Sequence, residues 1–121
     1  MHIGSVVIGA QDVSRATAFW AAALDYVPRD EPDETWAVLK PRAGEGHQLA
    51  IGLSDTPVQA YPRVHLDIYS ETPQEDIARL LELGASTVDW GKYPPDPDFT
   101  VLADTEGNRF CVIDVLHGTT E

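Results

Sequence analysis

The residues best suited to proton transfer are His65 and Asp67, which stand two positions apart in segment 63–70. Apolar and polar residues alternate in this segment, as in a strand with one buried face: Val64, Leu66 and Ile68 against His65, Asp67 and Tyr69. Residues two apart in a strand lie on one face about 6.5–7 Å apart along the backbone, so their side chains can lean together. Asp67 would then orient the imidazole, and His65 would act as a general base near neutral pH. The alternative is a polar pair that neighbouring strands and water satisfy, without a catalytic role.

Cys111 is the only cysteine and lies between Phe110 and Val112. A thiol in such an apolar strand behaves as a small buried hydrophobe. The other interpretation is a nucleophile, because Arg109 shares its face by alternation and would lower the pKa of the thiol. A single cysteine excludes an internal disulfide, and we expect a cytoplasmic protein.

Charge and length restrict the possible partners. The 121 residues fit one domain, and eight Lys and Arg against twenty Asp and Glu give a net charge of −12. This excess of acid disfavours binding to nucleic acid and to anionic membranes. No segment approaches the roughly 20 apolar residues that cross a bilayer, so we expect no membrane association.

The spacing of apolar residues predicts the elements of the first half. A strand is expected over 3–10, and Asp12 is a plausible N-cap for a helix over 13–24. A loop over 28–33 and strands over 35–40 and 48–53 follow, with a further edge strand possible.

The second half repeats this order. The strand over 63–70 precedes a helix over 73–83, which begins with a capping box of Thr72 and Glu75 and ends at Gly84. Three strands complete the half: 87–90, 99–103 and 110–116.

The two halves are related by an offset of about 60 residues, with Asp12 equivalent to Thr72 and Gly46 equivalent to Gly107. We therefore predict an α+β fold in which two βαβββ modules, about 1–53 and 62–117, form one domain. The modules would form a cupped mixed or antiparallel sheet, with one helix per module on its outer face. The cup would enclose a small-molecule pocket.

Several short segments occur in the order typical of one superfamily: D-x-x-x-x-x-x-F-W at 12–20, A-L-D-Y at 23–26, H-L-D-I at 65–68, L-G-A at 83–85 and L-A-D-T-E-G-N at 102–108. Over nearly its whole length the chain resembles the vicinal oxygen chelate superfamily, and within it the glyoxalase-like and bleomycin-resistance proteins. The resemblance implies the fold predicted above and a homodimer. It leaves the activity open, because this superfamily contains isomerases, dioxygenases, thiol transferases and drug-binding proteins.

The resemblance also implies four positions for a catalytic metal, which are Ser5, Ala50, His65 and Cys111. Ala50 has no donor atom and a neutral serine hydroxyl is a poor ligand, so two donors remain where zinc usually has three or four. We therefore predict no metal and no cofactor. A metal held jointly by His65, Asp67 and a substrate stays open.

Aromatic residues at the rim of the cup either line the pocket or pack on the sheets. The predicted ligand-binding set is Ser5, Val7, Trp36, Ala50, His65, Asp67, Tyr69, Trp90, Tyr93, Phe99, Arg109 and Cys111. It favours a protein that binds a small organic ligand without a metal. The alternative is an enzyme of the lyase, isomerase or dioxygenase-like type that uses His65 with Asp67 for acid–base chemistry or as part of a metal site. A third interpretation is an interaction module whose own aromatic side chains fill the pocket.

Overall fold

The computed structural model describes residues 1–119. It divides between Pro57 and Val58 into two compact units. Each unit contains a four-stranded mixed sheet and one helix in the order βαβββ, which confirms the predicted α+β class and the repeat. That the two modules form one domain stays a prediction. A membrane-spanning helix is absent from the described residues, since none combines the required length with the required apolar character.

The first unit consists of β1 (Ser5–Ala10), α1 (Val13–Leu24), β2 (Tyr26–Pro28), β3 (Trp36–Pro41) and β4 (Gln48–Leu53). Its strand order is β1-β4-β3-β2, with β1 parallel to β4 and the other pairs antiparallel. Asp12 caps α1 as predicted, because its Oδ1 accepts a hydrogen bond from the Arg15 amide at 3.0 Å. The possible edge strand is present as β2, and it includes Pro28 at the start of the predicted loop.

The second unit consists of β5 (Asp67–Ser70), α2 (Pro73–Leu83), β6 (Ser86–Thr87), β7 (Phe99–Ala103) and β8 (Arg109–Asp114). Its strand order is β5-β8-β7-β6, with β5 parallel to β8 and the other pairs antiparallel. Asp104 fixes the turn between β7 and β8. Its buried Oδ1 accepts hydrogen bonds from the amides of Glu106 and Asn108, both at 2.9 Å.

The predicted capping box of α2 is wrong in its details. Thr72 is the N-cap, but its side chain makes no capping hydrogen bond. Ser70 acts instead: its Oγ accepts from the Thr72 amide at 3.0 Å and donates to Asp76 Oδ2 at 2.6 Å. The helix ends as predicted at Gly84, whose φ of 120° favours glycine.

Two strands begin later than predicted. β1 begins at Ser5 rather than residue 3, because its partner β4 begins with Gln48 opposite Ser5. β5 begins at Asp67 rather than residue 63, because Asp67 is the first residue of the ladder with β8. Ile3 and Val64, which were assigned to these strands, are 80 % and 81 % exposed.

β3 and the start of β8 are shifted by one residue from the prediction, and two larger differences concern β6 and the end of β8. β6 is limited to Ser86–Thr87 rather than 87–90. Its last residue, Thr87, pairs with Leu102 of β7, and the amide of the preceding β7 residue, Val101, donates to the Tyr93 hydroxyl at 2.8 Å instead of to a strand. β8 ends at Asp114 rather than residue 116, because the Asp114 carboxylate accepts from the Leu116 amide and starts a turn.

Candidate functional site

A cavity of about 490 Å³ lies in the second unit, over one face of β5, β8 and β7. The register explains this position, because Asp67 and Val101 both pair with Cys111, so the three side chains point to one face. The opposite face carries buried Leu102 and Val112. The lining residues come from the three strands and from the loops beside them: Pro62, His65, Asp67, Tyr69, Trp90, Asp98, Phe99, Val101, Arg109, Phe110, Cys111 and Ile113.

His65 and Asp67 make the predicted contact. The distance from His65 Nε2 to Asp67 Oδ1 is 3.0 Å, and the two side chains are 42 % and 47 % exposed. A carboxylate at this distance fixes the orientation of the imidazole. The contact therefore presents an oriented imidazole at the cavity surface, while its catalytic use stays a prediction.

Cys111 is buried beneath this pair at 9 % exposure. Burial, the negative charge of Asp67 and a hydrogen bond to Asp67 together raise the pKa of the thiol to about 11. The expected lowering of this pKa by Arg109 is thus wrong, because the nearest charge is an anion rather than a cation. Near neutral pH the group is a thiol, which is unsuited to nucleophilic attack.

Arg109 is held by aromatic rings instead. Its guanidinium carbon lies 5.9 Å from the ring centroids of both Tyr61 and Trp90, which are within the range of cation–π contact. Its Nη1 donates to the carbonyl oxygen of Ala60 at 2.7 Å. Arg109 therefore forms a fixed positive wall of the cavity.

The metal positions implied by the family resemblance do not fit a cation as a set. The Ala50 side chain is a methyl group and is completely buried. Within the second unit, however, one donor atom from each of His65, Asp67 and Cys111 lies within 4.8 Å of the other two. Imidazole, carboxylate and thiolate are zinc ligands, and three of them with an open position are typical of catalytic zinc sites. Only two donors were predictable from the sequence, because the pairing of Asp67 with Cys111 depends on the register of two strands.

The other predicted ligand-binding residues of the second unit divide into two groups. Tyr69, Trp90 and Phe99 line the cavity with the groups described above. Tyr93 does not line it, since its hydroxyl completes the edge of β7 and its ring packs against Phe99 with centroids 5.2 Å apart.

Four predicted residues belong to the first unit, where they share one face of its sheet. Val7 is opposite Ala50 in the ladder of β1 and β4, and Ser5 precedes Val7 by two positions. Trp36 is opposite Gly52, and its ring packs over this glycine. A Cβ atom added to Gly52 would lie only 3.3 Å from the ring. Val7 and Trp36 are 56 % and 45 % exposed.

Sequence reasoning missed five lining residues: Pro62, Asp98, Val101, Phe110 and Ile113. Val101 and Ile113 alternate with residues already placed on the cavity face, so the period-two pattern was a usable signal. Asp98 ends the proline-rich loop 94–98, whose conformation composition does not determine.

Comparison with known proteins identifies the family and the fold of the chain. A family model described as a glyoxalase-like domain matches residues 5–113. No curated protein matches the chain. A glyoxalase/bleomycin resistance protein/dioxygenase family enzyme from Burkholderia phytofirmans PsJN is similar in structure, with a TM-score of 0.71, 13 % identity and coverage of 93 % of this chain and 97 % of that one.

Two further solved structures are similar at comparable levels. A possible glyoxalase from Bacillus cereus has a TM-score of 0.66 and 18 % identity, and covers 93 % of this chain and 98 % of its own. A mutant of the fosfomycin resistance protein FosX from Listeria monocytogenes, complexed with Mn(II) and 1S,2S-dihydroxypropylphosphonic acid, has a TM-score of 0.73 and 13 % identity, and covers 93 % and 89 %. At these identities the likeness shows the fold alone.

The chain belongs to the glyoxalase-like domain family, because the family model covers nearly its whole length. Its fold is that of the glyoxalase/bleomycin resistance/dioxygenase proteins.

Proposed function

We propose that the chain binds a small organic molecule in the cavity of the second unit, with the His65–Asp67 pair as a central polar contact. The observation that carries this proposal is a cavity of about 490 Å³ in which aromatic side chains surround one fixed hydrogen-bonded pair. Small-molecule sites commonly have volumes of about 300–1,000 Å³ and combine an apolar lining with a few convergent polar groups. An open cavity of this size does not favour the interaction module whose own side chains fill its pocket.

Ligand-dependent thermal stabilisation of chelator-treated protein tests the proposal. A ligand at about 100 times its Kd stabilises the folded state by about 2.7 kcal/mol, which corresponds to a Tm shift of at least about 5 °C for a chain of this size. The panel should contain aromatic acids, 2-oxo acids, aldehyde–thiol adducts and glycopeptide drugs.

A cavity-filling variant assigns any such shift to this cavity. Ile113→Trp adds an indole to the lining, whereas Val64→Trp adds the same group at a position that is 81 % exposed and outside it. We expect Ile113→Trp to lose the shift and Val64→Trp to keep it. A panel without stabilising ligands, or equal shifts in both variants, would contradict the proposal.

A second candidate function is a metal-dependent enzyme, and it is favoured by the three donor atoms within 4.8 Å of one another. His65, Asp67 and Cys111 would hold the ion, which would supply Lewis-acid activation of an oxygen atom of the substrate. The protein itself must first open the His65–Asp67 hydrogen bond and release the thiol proton of Cys111. The hydrogen-bonded arrangement and the metal-bound one therefore exclude each other.

Cobalt titration distinguishes the two candidates without an assay of activity. A cobalt–thiolate site has a charge-transfer absorption, which Cys111→Ala removes and which the control Val64→Trp keeps. Under the first candidate, Co²⁺ adds no such absorption and the purified protein holds far less than one metal ion per chain. Stoichiometric metal with thiolate absorption would support the second.

The wider biological proposals rest mainly on the family. Sequestration of a drug in the manner of bleomycin-resistance proteins, a homodimer and a cytoplasmic location are parts of this proposal. For the homodimer, exposed apolar residues in the first unit give support: Val7, Trp36 and Leu53.

A further inference from the structure

Arg109 differs from an ordinary surface arginine in its surroundings. It is half-buried in the cavity wall, and the rings of Tyr61 and Trp90, whose centroids are 5.0 Å apart, both lie beside its guanidinium group. The hydrogen bond to Ala60 ties the same group to the backbone. Two ring contacts and one backbone contact hold the guanidinium in place before any ligand arrives.

The positive charge of this group has no counter-charge in the described part of the chain. Within residues 1–119, no carboxylate lies within salt-bridge distance of Arg109, and its one side-chain hydrogen bond goes to the neutral carbonyl of Ala60. Two carboxylates line the cavity, those of Asp67 and Asp98. Asp67 is paired with His65 at 3.0 Å, and Asp98 makes no salt bridge to Arg109. A guanidinium group carries its charge at all physiological pH values and has five N–H donors in a planar fork.

We infer that Arg109 forms an anion subsite that binds the carboxylate of an aromatic or otherwise apolar ligand. This inference rests on the proposed function, because it concerns the ligand of the same cavity. The fork of the guanidinium matches the two oxygen atoms of a carboxylate, and the rings of Trp90 and Phe99 offer apolar contact for the body of the ligand. In a chain with a net charge of −12, this fixed cation distinguishes the cavity from the rest of the surface.

The test uses matched pairs of probes, each an aromatic carboxylic acid and its neutral primary amide, such as 1-naphthylacetate and 1-naphthylacetamide. The two members of a pair have nearly the same shape and differ in charge. Isothermal titration on chelator-treated protein should give a Kd about 10- to 100-fold lower for the acid, since hydrogen bonds to charged groups contribute more than neutral ones.

Variants at one position assign the preference to Arg109. Arg109→Gln should reduce the ratio of amide Kd to acid Kd to about one, and Arg109→Lys, which keeps the charge but not the fork, should retain part of it. The matched control Arg63→Gln removes the same charge from an exposed side chain of the same unit and should leave the ratio unchanged. Circular dichroism checks that each variant folds.

The outcomes separate this inference from the proposed function. If acids and amides bind equally well to the wild type, or Arg109→Gln keeps the preference, the anion subsite is wrong while the cavity remains a ligand site. If no probe of either charge binds and no member of the thermal-stabilisation panel stabilises the protein, the proposed function fails and the subsite with it. The wild-type ratio decides the question even if Arg109→Gln does not fold, because a ratio below about 3 is too small for a charge-assisted contact.

Discussion

Asp67 lies between two groups that can carry a proton, the imidazole of His65 and the thiol of Cys111. It accepts from His65 at 3.0 Å, and it also raises the pKa of Cys111 through its charge and a hydrogen bond. One carboxylate therefore contacts both neighbours and favours the protonated form of Cys111.

The raised pKa of Cys111 predicts a loss of stability in alkaline solution. The folded thiol has a pKa of about 11, against an ordinary value of 9.0, so the unfolded chain releases this proton first as the pH rises. The contribution is complete below pH 9 and is lost as the pH rises through about 11. Urea denaturation of chelator-treated protein between pH 8 and about 11 measures it.

Cys111→Ala provides the matched comparison for this loss. The variant should show a smaller decrease in the free energy of unfolding over the same pH range, because lysine and tyrosine residues titrate alike in both proteins. Parallel curves for the two proteins would show that the thiol is not perturbed by folding.

The sequence could predict the contact of His65 with Asp67, because residues two apart in a strand share a face. It could not predict the approach of Asp67 to Cys111, because these residues are more than 40 positions apart in the chain. Their contact depends on the register of β5 against β8. For the same reason the sequence assigned the wrong neighbour to the thiol. Alternation within one strand favoured Arg109, whereas the pairing of two strands placed Asp67 there.

At the scale of elements, the start of α2 depends on a residue outside the helix. Ser70 is 5 % exposed, and its hydroxyl joins the Thr72 amide to the Asp76 carboxylate. Asp76 also lies in the first turn of α2, where a negative charge is favourable. The connection between β5 and α2, which follows directly after the cavity strand, is thereby fixed.

Ser70→Ala should therefore lower the free energy of unfolding by about 1–2 kcal/mol, because it removes the hydrogen bonds of the buried Ser70 hydroxyl to the Thr72 amide and the Asp76 carboxylate. Thr72→Ala is the matched control, and it should cost less than about 0.5 kcal/mol since the Thr72 side chain makes no capping hydrogen bond. Urea midpoints of the two variants give the comparison. A larger loss for Thr72→Ala would support the capping box and contradict the role of Ser70.

Both helices were predictable to the residue from their apolar spacing and end signals, with Asp12 at one start and Gly84 at one end. The strand ends were less predictable because a strand ends where its partner ends. Tyr93 is an example, because its side-chain hydroxyl accepts the hydrogen bond of the Val101 amide that a strand carbonyl would otherwise accept. Such a side-chain contact leaves no periodic pattern in the sequence.

At the scale of the whole molecule, the repeat of βαβββ was predictable because the same order of elements occurs twice. The position of Arg109 was not. Its partners Ala60, Tyr61 and Trp90 lie in loops, and loop conformation is set by contacts rather than by composition.

The proposed homodimer predicts twice the mass of one chain in light scattering coupled to size exclusion. Val7→Asp replaces an exposed apolar residue of the first unit with a charge and should shift the protein toward the monomer if this face is the interface. Val64→Asp makes the same change on the second unit and serves as the control. Monomeric wild-type protein at concentrations of about 100 μM would contradict the proposal.

A crystal structure of chelator-treated protein with a bound aromatic carboxylate from the panel is the most direct test of the central claim, that the cavity of the second unit is the ligand site. The account predicts ligand density against Trp90 and Phe99, with the carboxylate at Arg109 and a polar contact to His65 or Asp67. A ligand bound outside this cavity, or a cavity filled by the protein's own side chains in the complex, would contradict it.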